Sequence, residues 1–170
     1  MFTFICGILF SEKKIERSHL NSLYKIIDEA YITLVEDDIP GKVKGLYFDN
    51  IIVLHKRIDT EAEKNCILAE EIGHYYTASD IIIDKSKLKN EKQEEAAHRW
   101  AIKELIDPAR LIDAFKVGVR NRWELSQFLD VTEEFIEEAL VCMKKLYGDT
   151  LAIDEYIIHF DPLWIYKSLD

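Results

Sequence analysis

Apolar residues Leu20, Leu23, Ile26, Ile27, Ala30 and Tyr31 recur at helical spacing after Ser18, which predicts an amphipathic helix over residues 19–33. "DDIPGK" reads as a loop. In "KVKGLYFDNIIVLHKR" two β-rich runs meet at Asp49-Asn50, residues that tolerate the positive φ of a tight turn, so 42–56 should be a β-hairpin. Thr60-Glu61-Ala62-Glu63 is a capping box, which opens a helix predicted over 61–76. "TASDIIIDKSKLKN" follows as a connection with a short strand at Ile81–Ile83, and a second long helix is predicted over 91–106, ending at Pro108. Shorter helical patterns cover 109–117, 122–129 and 132–147, the last with Thr132 as N-cap and Gly148 as C-cap. "AIDEYIIHFDPLWIY" alternates like a strand before Pro162. Together these elements give an α+β fold.

Composition narrows what such a fold can do. The 170 residues are 48% apolar and 11% aromatic, a globular balance that suits one ordinary domain. With 32 acidic against 22 basic residues the net charge is −10, a poor match to polyphosphate. That matters for "WELSQFLDVTEEFIEEAL", which has the rhythm of a helix-turn-helix. Arg110 to Asp149 carries six basic residues against eight acidic, so a structural or protein-docking helix pair is expected there, and no nucleic acid. Cys6, Cys66 and Cys142 are far apart and form no C-x-x-C pair, which reads as reduced thiols in a cytoplasmic protein. The opening "MFTFICGILF" lacks a basic n-region and a cleavage site, and ten residues are too few to span a bilayer. It is read as a buried strand or an ill-determined start, and no membrane association is expected.

The chemistry concentrates in "CILAEEIGHYYT", residues 66–77. The zinc-protease signature His-Glu-x-x-His is met here by Glu70-Glu71-Ile72-Gly73-His74, with glutamate at the first ligand position. Residues i and i+4 share a helix face, so Glu70 and His74 project together as potential ligands. Glu71 sits roughly 100° round the helix, where a carboxylate can reach a metal-bound water without binding the metal. Gly73 lets another backbone approach closely. A third ligand is available from Glu94 in "EKQEEAAHRWA" on the second long helix, with His98 one turn on and suited to a hydrogen bond that supports the ligands. Cys66 shares the face of Glu70 but is expected to be a buried free thiol. His19, His55 and His159 are expected to be surface or satisfied residues, and Tyr47, Tyr75 and Tyr76 are given no catalytic role.

Over about residues 18–165 the sequence resembles the ImmA/IrrE family of metallo-endopeptidases, compact gluzincin-like proteins common on phages and integrative elements. "GLYFDNIIVLHKRIDTEAEKNCILAEEIGHYYT" is similar to the family's hairpin and active-site helix, "EEAAHRWAIKELIDP" to its glutamate helix, and "ELSQFLDVTEEFIEEAL" to its C-terminal helical segment. The resemblance implies a zincin-like domain over 1–108, in which a small twisted sheet packs on two metal-bearing helices. A helical subdomain over 109–149 follows, and a C-terminal strand or tail over 150–170 packs back on the domain. It implies His74 and Glu94 as ligands of Zn²⁺, Glu71 as general base, and Glu70 at the first-ligand position, where it departs from the pattern. One histidine and two carboxylates neutralise a divalent ion, which weakens it as a Lewis acid and favours harder ions such as Mn²⁺. The implied substrate is an element-encoded repressor protein. The alternative is a non-catalytic module that docks the repressor without cutting it.

Overall fold

The computed structural model describes residues 18–78 and 87–168; the opening run 1–10 and the short strand expected at Ile81–Ile83 lie outside the described residues. Among the described residues the fold is α+β, with six helices and two three-stranded sheets. Helix α1 (Ser18–Glu29) leads into β1 (Thr33–Asp37), β2 (Gly45–Phe48) and β3 (Ile51–His55). Helices α2 (Glu61–Ala78) and α3 (Lys87–Leu105) follow, then α4 (Pro108–Lys116), α5 (Arg122–Leu129) and α6 (Glu133–Tyr147). The chain ends in β4 (Thr150–Ile153), β5 (Tyr156–Phe160) and β6 (Leu163–Lys167).

The hairpin forms as its turn residues require. Asp49 and Asn50 take φ of 46° and 60°, and β2 pairs antiparallel with β3 through Leu46↔Val53 and Tyr47↔Ile52. Three predictions need correction. The first helix stops short of residue 33: Tyr31 adopts φ 54°, and Thr33–Asp37 becomes a strand parallel to β3. Apolar spacing carried the helical reading through Tyr31, but β1 is almost wholly exposed and so left little hydrophobic signal. Likewise the C-terminal alternation is an antiparallel meander of three strands, turned at Asp154 (φ 50°) and again between Phe160 and Leu163. The second long helix also begins earlier than residue 91, at Lys87.

Sheet order β1-β3-β2 leaves β2 at one edge. Ile52 and Leu54 of β3 point into the core, where Leu68, Ala69 and Ile72 of α2 meet Leu23 and Ile27 of α1. The same buried cluster continues through Ala101, Ile102 and Leu105 of α3 to Leu129, Phe135 and Ile136, and on to Ile158 and Phe160 of β5. Caps set the helix starts. Thr60 Oγ1 accepts from Glu63 N (3.2 Å) at α2, while the Glu63 carboxylate turns to Lys44 instead of closing the box. Thr132 Oγ1 accepts from Phe135 N (3.1 Å) at α6, and Gly148 (φ 87°) closes that helix. Asn65, wholly buried on α2, donates to the backbone and carboxylate of Asp130 (3.1 and 2.8 Å) and so ties the α5–α6 corner to the helix that carries the site. No helix among the described residues is long and apolar enough to cross a membrane.

Candidate functional site

Helices α2 and α3 pack face to face at Gly73. A Cβ there would lie 2.5 Å from the Ala97 carbonyl oxygen, so only glycine permits this approach. The close crossing brings Glu70 and His74 of α2 opposite Glu94 and His98 of α3, and all four line one cleft of about 390 Å³. Glu95 and Glu138 complete its acidic wall.

Within the cleft the donors meet in crossed pairs. His74 Nε2 lies 3.4 Å from Glu94 Oε2, and His98 Nδ1 lies 2.7 Å from Glu70 Oε1. Thus His98 meets the carboxylate of the opposite helix. Its Nε2 faces Glu138 Oε2 at 3.4 Å, and its ring stands edge-to-face with Phe135, centroids 5.7 Å apart. The Glu70 hydrogen bond holds the His98 imidazole above its usual pKa; burial opposes this, while the charges of Glu70 and Glu138 add to it.

Glu71 occupies a different environment. It is 9% exposed and lies against the start of edge strand β2, where a Cβ on Gly45 would be 2.5 Å from Glu71 Oε1. Burial pushes its pKa up to about 7; the carboxylates of Glu70 and Glu94 push the same way, and a backbone hydrogen bond from Tyr47 opposes them. A carboxylate titrating near neutrality is matched to accepting a proton at physiological pH.

Other candidates resolve as ordinary structure. Cys66 is buried and free, its thiol pushed up to about 12 by burial. His55 Nδ1 accepts from Arg57 N (3.1 Å), and the His159 ring stacks on Tyr166. The His19 side chain lies outside the described residues. Tyr47, Tyr75 and Tyr76 form an edge-to-face chain that continues by stacking onto Trp100, and Tyr47 Oη donates to Asn50 Oδ1. Besides Glu95, Glu138 is a cleft residue that sequence reasoning did not place. Its signal was its position three residues after Phe135 and one before Ala139, both buried, on a helix whose partner is unknown from sequence.

Among the described residues, no group of three His, Cys, Asp or Glu side chains is arranged to hold a metal ion as it stands. The donor set nonetheless suits one in kind: two imidazoles and four carboxylates line a single cleft. The repulsion among Glu70, Glu71 and Glu94 that raises the Glu71 pKa is the interaction a cation relieves.

Comparison with known families now bears on this arrangement. The profile of the IrrE N-terminal-like domain, Peptidase_M78, matches residues 28–141, more than half of the chain and the whole of the α2–α3 unit. The chain belongs to this family. Membership of this family suggests a metallopeptidase-like role and implies a divalent metal, typically zinc. No curated protein matches the chain.

Proposed function

We propose that this M78-family protein is a cytoplasmic, metal-dependent endopeptidase acting on a protein substrate, an element-encoded repressor. The observation that carries the reading is the seat of Glu71: a buried carboxylate, its pKa pushed up to about 7, between edge strand β2 and a cleft lined by two histidines and four glutamates. His74 and Glu94 contribute ligands, and the Glu70–His98 pair supplies the third donor; from sequence alone that donor is Glu70. A bound divalent ion would supply an acidified water and polarise the scissile carbonyl. Glu71 would be placed to accept a proton from the attacking water and to return it to the leaving amine. Strand β2, at the sheet edge beside Glu71, can accept an extended substrate segment as an added strand. Gly45 keeps that edge free of side-chain bulk over the base.

The crossed carboxylate–imidazole pairs favour one other reading, a non-catalytic module that docks the repressor. The test is incubation of zinc-loaded protein with a candidate element-encoded repressor, followed by intact-mass analysis. Discrete fragments that vanish with chelator support the peptidase. A stable complex with uncut repressor supports the docking module.

A further inference from the structure

Helices α2 and α3 carry closely similar five-residue strings. Glu70-Glu71-Ile72-Gly73-His74 is matched by Glu94-Glu95-Ala96-Ala97-His98: two glutamates, an apolar residue, a small residue and a histidine. The helices touch at the small residues, Gly73 against Ala97, so the two strings face each other across the contact. The resulting pairs differ in one respect. His74 presents Nε2 to Glu94, whereas His98 gives Nδ1 to Glu70 and turns Nε2 into the cleft toward Glu138.

That second arrangement is the one by which proteins prepare a histidine for metal. A carboxylate accepting from Nδ1–H fixes the tautomer and ring orientation, leaving the Nε2 lone pair for the ion and raising its basicity. Phe135 holds the ring from the side. Glu138, the neighbour of Nε2, has a side chain 60% exposed, so it can turn to solvent as an ion arrives.

We infer that His98, not Glu70, supplies the second imidazole of the metal centre, so that His74, His98 and Glu94 are the ligands and Glu70 positions His98. The inference rests on the metallopeptidase reading above and deepens it. Two imidazoles and one carboxylate are the ligand set of a catalytic zinc site, and they leave a net positive charge on a divalent ion. The glutamate at position 70 therefore does not cost the centre its Lewis acidity: an imidazole is recovered one helix away. With this set the preferred ion is Zn²⁺ over Mn²⁺.

The experiment counts imidazoles at the ion. Full-length protein is stripped, reloaded with one equivalent of Zn²⁺ alone, and studied by X-ray absorption at the zinc edge together with competitive zinc titration. Two histidine ligands are expected in the wild type and one in His98→Ala. Glu70→Gln keeps an acceptor for Nδ1–H, so it should retain two, with zinc affinity lower by about 10–100-fold. One histidine in zinc-loaded wild type, or two persisting in His98→Ala, would overturn the assignment while leaving the metallopeptidase reading intact. The wild-type count decides even where a variant fails to fold. Failure of the wild type to retain zinc at all would overturn both.

Discussion

The α2 string 70–74 and the α3 string 94–98 offer nearly the same side chains, but what packs over them differs. On α2 the second glutamate, Glu71, is covered by the start of β2 and titrates near 7. On α3 its counterpart, Glu95, is exposed at the cleft rim. The first glutamates part company too: Glu70 is engaged at 2.7 Å by His98, while Glu94 sits 3.4 Å from His74 and is largely exposed. Identical spacing therefore yields a buried carboxylate with a raised pKa on one helix and an exposed carboxylate on the other. The role comes from burial against a sheet edge, not from the string itself.

The largest effect should separate the two second glutamates. Glu71→Gln is expected to lower repressor cleavage by about 10²–10⁴-fold with zinc still bound, since an amide cannot take the water's proton. Glu95→Gln should change the rate by no more than about threefold, because its carboxylate already faces water. Cleavage rates and zinc content of the two variants, side by side, check this. Equal losses would erase the distinction drawn between the helices.

A stability comparison follows from the same burial. Glu71 is an acid whose folded pKa, about 7, lies above its ordinary value of 4.5, so the fold favours its protonated form. In chelated protein the corresponding stabilisation is fully present below about pH 4.5 and is lost as pH rises through about 7. The change amounts to a few kcal/mol at most. Between about pH 4.5 and 6.5, below the range in which His98 with its raised pKa contributes, urea denaturation of chelated wild type should show this fall, and Glu71→Gln should abolish it, whereas Glu95→Gln should keep it. A fall that survives in Glu71→Gln would place the titration elsewhere.

Much of this arrangement is legible in the sequence because it is local. The capping threonines at 60 and 132, the Asp49-Asn50 turn and the shared face of Glu70 and His74 each depend on spacings of four residues or fewer. Gly73 announced a close approach, and Ala97 is the backbone that makes it. Strand β1 escaped notice because its exposed residues carry no alternation, and it is held by pairing with residues 51–55. The partner of His98 was equally out of reach. Periodicity fixes which way His98 projects, but only the α2–α3 crossing decides that it meets Glu70, and only the return of α6 brings Glu138.

That crossing gives a smaller, purely structural contrast. Gly73→Val forces side-chain atoms into the Ala97 carbonyl and should destabilise by about 1–3 kcal/mol, with zinc affinity reduced as the two strings separate. Ala97→Gly removes no backbone contact and should cost about 1–2 kcal/mol, from helix propensity and the loss of one buried methyl. Thermal melts of the chelated variants measure both. A Gly73→Val protein as stable as wild type would mean that the helices can part without loss.

The contrasts in cleavage and zinc affinity presuppose that the cleft between α2 and α3 holds a divalent ion. The direct measurement is metal content by elemental analysis of protein purified without chelator in zinc-supplemented medium, alongside a His74→Ala, Glu94→Ala double variant. The account predicts one zinc per wild-type chain and loss of zinc from the double variant, which retains neither proposed ligand of the His74–Glu94 pair. Wild-type protein without zinc, or a double variant that binds it as tightly, would contradict the assignment of this cleft as the metal centre.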